Sequence, residues 1–191
     1  MSSKPPIHIV GGGLAGSEAA WLLAQSGVPC VLHEMRPMVS TEAHQTESLA
    51  ELVCSNSFRS DDKLSNAVGI LHEELRICGS LIMKAADEHK VPAGSALAVD
   101  RSLFSEEVTN SIRNHQNINV IQKEVKNIPD DWENIIIATG PLTSEALSEF
   151  ILKKSSDDSL YFFSSRTSSI DSLSSLNSLS DKFSKSFLSI L

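Results

Sequence analysis

The apolar residues near the start of the chain form a short strand pattern that runs directly into glycines. Three of the four residues in Ile7–Val10 are β-branched, which predicts a buried strand. Residues 17–25 favour a helix that ends close to Gly27, and residues 30–33 predict a second strand ending at Glu34. This succession of strand, helix and strand is typical of a parallel α/β sheet.

The middle of the chain has a longer helical periodicity. Residues 47–53 predict a short helix. Residues 54–60, rich in small polar side chains, predict a loop that lines a ligand, with a solvated connection as the alternative. A single long helix is predicted to begin at Ser65 or Asn66. Its inner face is predicted to consist of Val68, Leu71, Leu75, Cys78, Ile82 and Ala85.

The last part of the pattern returns to strands. Residues 91–101 predict an extended connection, and residues 103–114 predict a helix with Ser102 as its N-cap. Residues 118–121 and 134–139 predict two further strands, and a final helix is predicted after them. Together the elements predict a doubly wound parallel sheet with a helical insertion at about residues 47–114.

The glycines that follow the first strand have the spacing Gly11-x-Gly13-x-x-Gly16. In a Rossmann-like strand–turn–helix the first glycine permits a tight turn, the second admits a pyrophosphate and the third allows close packing. Glu34 follows Gly16 at close to the distance expected of the acid that binds an adenosine ribose. The pattern therefore predicts a dinucleotide site, with a glycine turn that binds no dinucleotide as the alternative.

Composition narrows the class of protein. The 191 residues suffice for one domain, and a net charge of −8 argues against a broad nucleic-acid-binding surface on this chain. The N-terminus lacks the pattern of a signal peptide and no apolar run approaches membrane length, so we expect a cytoplasmic protein without membrane contact. The three cysteines form no metal-binding pattern, so we expect no metal site. Cys30 and Cys78 are predicted to be small buried residues.

The composition changes abruptly at Ser164. Serine accounts for 12 of the last 28 residues but for only 20 of the first 163. Residues 164–191 also contain no Gly, Ala, Val, Pro or Cys. We expect a disordered or marginally helical low-complexity tail, or a segment translated out of frame, after a dinucleotide-binding domain at residues 1–163.

Several runs resemble one family closely. They are the glycine turn, EMRP at 34–37, ELVCSNSFRS at 51–60, the small-residue stretch at 91–101 and ATGPLTS at 138–144. Together they are similar to the N-terminal part of the folate- and FAD-dependent tRNA (uracil-5-)-methyltransferases, the TrmFO or Gid family. The ELVCSNS run is more specific than the glycine spacing.

The resemblance implies a reaction and a set of site residues. Methylenetetrahydrofolate would supply one carbon, reduced FAD the electrons and NAD(P)H the reduction of the flavin, with uracil C5 in the T-loop of tRNA as the target. Cys54 would be catalytic and lie near the flavin, which requires thiolate character. The implied cofactor-binding residues are Gly11, Gly12, Gly13, Leu14, Ala15, Gly16, Glu34, Arg36, Thr139 and Gly140.

Members of this family are considerably longer than 191 residues. The resemblance therefore implies an incomplete FAD-binding domain and a missing C-terminal domain that carries the uracil nucleophile and the tRNA-binding surface. We expect this chain alone to be inactive and to bind FAD weakly or not at all. The alternatives are a non-catalytic FAD-binding fragment or pseudogene product and a generic flavin or nicotinamide oxidoreductase. Whether Arg36 contacts a ligand or only an acidic side chain is left open.

Overall fold

A computed structural model of the chain describes residues 5–155. The parallel strands, numbered in chain order with the others, are β1 (Ile7–Val10), β2 (Cys30–Glu34), β6 (Ile118–Gln122) and β7 (Ile135–Ile137). The shorter strands are β3 (Ser57–Ser60), β4 (Lys90–Val91) and β5 (Ala96–Val99). The helices are α1 (Leu14–Gln25), α2 (Ala67–Ile77), α3 (Leu81–Glu88), α4 (Arg101–Arg113) and α5 (Glu145–Ser155), and a single 3-10 turn spans Gly140–Leu142.

The first sheet has four parallel strands in the order β6–β2–β1–β7. Ile9 of β1 and Leu32 of β2 are fully buried on the face that α1 covers with Ala20 and Ala24. β1 lies between β2 and β7 because the chain crosses to the other side of β1 after leaving β6. This arrangement confirms the predicted parallel α/β sheet and places the carboxyl ends of its strands at one edge.

Residues 47–114 contain a second sheet as well as helices. Its three antiparallel strands have the order β3–β5–β4. The prediction of a loop throughout residues 54–60 is therefore wrong for β3, which pairs with β5 while Phe58 packs on Phe104 of α4. The predicted extended connection at 91–101 includes β5, whose Leu97 is fully buried.

The predicted long helix is two helices. α2 ends at a corner in which Gly79 has a φ of +75°, and the hydroxyl of Ser80 then caps α3 by accepting from Met83 N. Trp21 of α1 donates to the Gly79 carbonyl oxygen, and Glu18 of α1 accepts from Ser80 Oγ and Ile82 N. Contacts from a distant helix thus fix a corner that local periodicity does not reveal.

The corner also changes which residues are buried. Leu71 and Cys78, predicted on the inner face, are exposed, so the burial predicted for Cys78 is wrong, whereas Cys30 is buried as predicted. Gly69 and His72 are buried instead. A Cβ at Gly69 would overlap the backbone of Asp62, so the helix packs on its glycine side.

Three further local predictions are wrong. Residues 47–53 form no helix, because Leu49 N donates to Thr109 Oγ1 and Ala50 N donates to the Gly12 carbonyl oxygen. α4 begins earlier than predicted, since the N-cap is Asp100, which accepts from the backbone N–H groups of residues 102 and 103. α1 likewise starts three residues before the predicted position.

Within residues 5–155, no helix combines the length and the apolarity needed to cross a bilayer. The predicted serine-rich tail at 164–191 and the predicted domain boundary at 163 lie outside the described residues.

Candidate functional site

The turn between β1 and α1 is fixed by hydrogen bonds from its backbone to two other segments. Gly11 N donates to the carbonyl oxygen of His33 at 2.8 Å, and Gly12 N donates to Glu34 Oε2 at 2.9 Å. The Gly12 carbonyl oxygen accepts from Ala50 N at 2.8 Å. The turn is thus tied to the end of β2 and to the segment that precedes β3.

The glycines of this turn differ in what surrounds them. Gly11 has a φ of +104°, and a Cβ there would lie 2.7 Å from the Ala138 carbonyl oxygen. A Cβ at Gly12 would lie 2.6 Å from Glu34 Oε2, and one at Gly16 would overlap the Gly11 carbonyl oxygen. A Cβ at Gly13 would meet no atom within 4 Å. Three glycines are therefore required by close packing, whereas Gly13 borders open space.

The start of α1 faces that open space. Gly13 is the N-cap and makes no side-chain capping bond, and the first backbone bond of the helix runs from Ser17 N to the Gly13 carbonyl oxygen. The N–H groups of the first turn have no partner within a helix, and the helix dipole adds positive potential at that end. Such a terminus is suited to an anion, above all a phosphate.

Glu34 ends β2 beside the turn and is 5% exposed. Its Oε1 accepts from Arg36 N and Arg36 Nε, each at 3.0 Å, and Arg36 Nη1 donates to Glu51 Oε2 at 3.0 Å. Burial alone would raise the pKa of Glu34, but the hydrogen bonds from Arg36 and Gly12 outweigh burial and hold that pKa below its usual value. Glu34 is therefore an ionised acceptor.

A cavity of about 290 Å³ opens at the carboxyl ends of the parallel strands. It brings together the turn, the start of α1, the ends of β1 and β2, and the residues that follow β6 and β7. All the cofactor-binding residues predicted from the resemblance line it except Gly16, which is packed beneath the turn: Gly11, Gly12, Gly13, Leu14, Ala15, Glu34, Arg36, Thr139 and Gly140.

A cluster of three aromatic rings lies on the sheet face beside the cavity. His8 Nδ1 and His33 Nε2 are 3.0 Å apart, and Trp132 stacks on both rings, with ring centroids at 3.9 Å and 4.6 Å. Burial, together with the nearby His8 and Lys123, lowers the pKa of His33 to about 4. His33 lines the cavity and is neutral at pH 7.

Cys54 is exposed and, among the described residues, does not line the cavity, although its neighbour Val53 does. Sequence reasoning named neither Glu51 nor the residues 123–125 as parts of the site, and both line the cavity. The usable signal for residues 123–125 was their position after β6, since loops that follow parallel strands meet at one edge.

Comparison with known proteins gives one family. The sequence profile of the family "glucose inhibited division protein A" matches residues 6–179. The methylenetetrahydrofolate–tRNA-(uracil-5-)-methyltransferase TrmFO of Bartonella bacilliformis is 63% identical over 158 residues, which make up 83% of this chain and 34% of that protein. The protein of the same name from Rhizobium etli is 59% identical over 164 residues, 85% of this chain and 34% of its own length. The chain thus spans about a third of the length of these curated relatives.

Among solved structures, GidA of Aquifex aeolicus superposes with a TM-score of 0.61 at 18% identity. The superposition covers 79% of this chain and 31% of the other. At this level of identity the similarity establishes a shared fold.

Proposed function

The chain belongs to the glucose inhibited division protein A family, and we propose that it carries the part of a methylenetetrahydrofolate–tRNA-(uracil-5-)-methyltransferase that seats the ADP half of FAD. The identity of 63% to the Bartonella bacilliformis protein supports the choice of this reaction. The observation that carries the cofactor assignment is the cavity at the turn. Gly13, which has open space where a side chain would be, the start of α1 and the ionised Glu34 meet there.

The residues that line the cavity fit a dinucleotide diphosphate. A phosphate can approach Gly13 because no side chain stands in the space beside it, and there it meets the free N–H groups of α1. The cavity volume is at the lower limit of the roughly 300–1,000 Å³ common for small-molecule sites. This volume favours a partly enclosed ligand, in keeping with the expectation of weak FAD binding.

Glu34 fits the adenosine ribose. Each carboxylate oxygen has two lone pairs. Oε1 already accepts from Arg36 N and Arg36 Nε, whereas Oε2 accepts from Gly12 N and keeps capacity for a further hydrogen bond. An ionised carboxylate accepts hydrogen bonds from ribose hydroxyl groups and repels added negative charge. The side chain is locked by Arg36 before any ligand arrives, which lowers the entropy cost of binding.

In the proposed reaction the reduced flavin supplies electrons, NAD(P)H reduces the flavin and methylenetetrahydrofolate supplies the carbon. The matched residues make up 34% of the Bartonella relative. We propose that contacts with tRNA and folate depend on the parts of the relatives that lie outside this match. The cytoplasm stays the predicted compartment.

Cys54 is proposed to act at the flavin end of the site. Val53 lines the cavity, and Cys54 follows it in the chain with an exposed side chain. This position suits a group that contacts the flavin or its substrate.

The cofactor assignment is tested by adding FAD, ADP or riboflavin to the ¹⁵N-labelled chain and recording amide shifts. We expect FAD and ADP to shift the amides of Gly11, Gly12 and Gly13 and of the first turn of α1, and riboflavin to leave them unchanged. Weak affinity does not hide such shifts. If millimolar ADP moves none of these amides, the assignment is wrong.

The role of Cys54 is tested by alkylation with iodoacetamide, followed by mass spectrometry of each cysteine. FAD at saturation should slow alkylation of Cys54 severalfold, whereas ADP should not, because ADP lacks the flavin half. Cys78, which is exposed at the end of α2, is the matched control and should react equally with and without FAD. Equal protection of both cysteines, or of neither, would remove Cys54 from the proposal.

Methyl transfer itself is assayed with methylenetetrahydrofolate, NADPH, FAD and unmodified tRNA. We expect no 5-methyluridine from this chain alone, and product from a full-length relative in the same buffer. Product formed by the chain alone would show that residues beyond the matched third of the relatives are dispensable.

A further inference from the structure

One charged residue near Glu34, Glu51, has no role in the proposed function. Arg36 is 2% exposed and its guanidinium lies between two carboxylates, Glu34 and Glu51. Nε donates to Glu34 Oε1 and Nη1 donates to Glu51 Oε2, each at 3.0 Å. The three side chains carry a net charge of −1 at the wall of the cavity.

This arrangement bears on which ribose the site accepts. An arginine near the acid that ends the second strand is the usual partner of a 2′-phosphate on adenosine, whereas the acid alone selects a free 2′-hydroxyl. Arg36 is in the position of such an arginine, but Glu51 binds a different nitrogen of the guanidinium from the one that Glu34 binds. A phosphate at this wall would bring about two more negative charges toward two carboxylates and one cation.

We propose that Glu51 is a specificity residue, which by occupying Arg36 makes the cavity select adenosine with a free 2′-hydroxyl over adenosine with a 2′-phosphate. The inference rests on the proposed function, because it assumes that the adenosine of a dinucleotide lies at Glu34. It assigns a role to the first residue of the ELVCSNS run without placing Glu51 in contact with the reacting atoms.

Glu51 also has a structural task, which the test must separate from specificity. Its Oε1 accepts from Gln45 N at 2.9 Å and its Oε2 accepts from Thr46 N at 3.3 Å, so it holds the segment before it in place. Loss of these two hydrogen bonds would weaken the binding of adenosine with and without a 2′-phosphate alike. A change in the ratio of the two affinities therefore reports on charge and not on packing.

The probes are ADP-ribose and 2′-phospho-ADP-ribose, titrated by calorimetry into the wild-type chain and into Glu51→Gln. The wild type should favour ADP-ribose by about a hundredfold, since like charges brought together at a binding site oppose association. Glu51→Gln keeps a hydrogen-bond acceptor and removes one charge, so the preference should fall to about tenfold. Glu47→Gln removes the same charge at an exposed position nearby and should leave the preference unchanged.

A double variant tests whether the Arg36 guanidinium is the group that binds the 2′-phosphate in Glu51→Gln. Adding Arg36→Gln to Glu51→Gln should abolish the gained affinity for the 2′-phosphate, because the freed guanidinium is then absent. Thermal unfolding followed by circular dichroism shows whether each variant is folded at the temperature of titration.

The outcomes separate this inference from the proposed function. If the wild type binds ADP-ribose but Glu51→Gln keeps the same preference, the specificity role is wrong and the adenosine site stands. An equal affinity of the wild type for both probes also overturns the role of Glu51. If neither probe binds the wild type or the variant, the adenosine site and the inference fail together.

Discussion

Two of the glycine-containing turns in residues 5–155 differ in what makes glycine necessary. In the turn at residues 11–16, side chains are excluded because other atoms occupy the space beside three glycines. Backbone atoms stand beside Gly11 and Gly16, and the side chains of Leu49 and Glu34 stand beside Gly12. At the corner between α2 and α3, Gly79 has open space around it and is needed only for its φ of +75°. The turn is constrained by packing, whereas the corner is constrained by conformation and by contacts from α1.

The largest expected difference between the two turns comes from adding one methyl group to each. Gly16→Ala should lower the free energy of unfolding by about 3 kcal/mol. Its Cβ would overlap the Gly11 carbonyl oxygen, so α1 would have to move away from the end of β1. Gly79→Ala should cost about 1 kcal/mol, the ordinary penalty of a left-handed alanine. Urea denaturation of both variants measures the two values, and equal losses would contradict the distinction.

Acid should weaken the parallel-sheet side of the molecule first. The folded chain holds the pKa of His33 at about 4, against about 6.5 for an unperturbed histidine. Between these values the unfolded chain binds the extra proton, so stability is complete above pH 6.5 and falls with acidification toward pH 4. The loss between pH 7 and pH 5 should be about 2 kcal/mol.

The same pH change should leave the ion pairs beside α2 intact. Burial raises the pKa of Asp61, but hydrogen bonds from Arg76 and His72 outweigh burial and lower it below its usual value. The control is His33→Phe, which keeps a ring beside Trp132 and should show a much flatter dependence of urea stability on pH. An unchanged pH dependence in His33→Phe would assign the acid sensitivity to other groups.

The smallest expected effect concerns how α4 begins. Asp100→Ala should cost about 1 kcal/mol, because the carboxylate accepts from Ser102 N and Leu103 N. Ser102→Ala, at the cap position that the sequence pattern favoured, should change stability very little. The two variants are compared by thermal unfolding, and a larger loss from Ser102→Ala would contradict the observed cap.

The sequence was sufficient to predict the glycine turn, because the residues that form the turn lie close together in the chain. The strand at Ile7–Val10, the spacing of the glycines and the acid at the end of β2 all lie within 28 residues. A parallel pair of strands joined by one helix has few alternative topologies. The predicted parallel α/β sheet is accordingly confirmed.

The sequence was insufficient for residues 47–114 because partners far away in the chain decide their structure. Leu49 N donates to Thr109 Oγ1, 60 residues later, and Trp21 donates to the Gly79 carbonyl oxygen, 58 residues later. Neither contact leaves a periodic signal in the segment that it shapes. The predicted helix at 47–53 and the predicted single helix after Ser65 are wrong for this reason.

Some residues of the candidate site could be predicted from the sequence and others could not. The residues of the turn and Glu34 were predicted, and the structure brings them to one cavity, but their roles as ligands of FAD stay a prediction. Glu51 could not be assigned from the sequence, because its partner Arg36 lies across an irregular segment without helical or strand spacing. Its contacts with that segment became visible only in the folded chain.

The central claim is that a dinucleotide diphosphate occupies the open space beside Gly13. Its most direct test is an FAD titration of the wild-type chain and of Gly13→Ala, with urea denaturation of both. A methyl group at Gly13 meets no protein atom within 4 Å and the backbone there has a φ of −75°, so stability should be equal. The FAD affinity of Gly13→Ala should fall at least about tenfold, because the Cβ takes the place of the phosphate and blocks its hydrogen bonds to the N–H groups of α1. Equal FAD affinity of the two proteins, at equal stability, would contradict the claim.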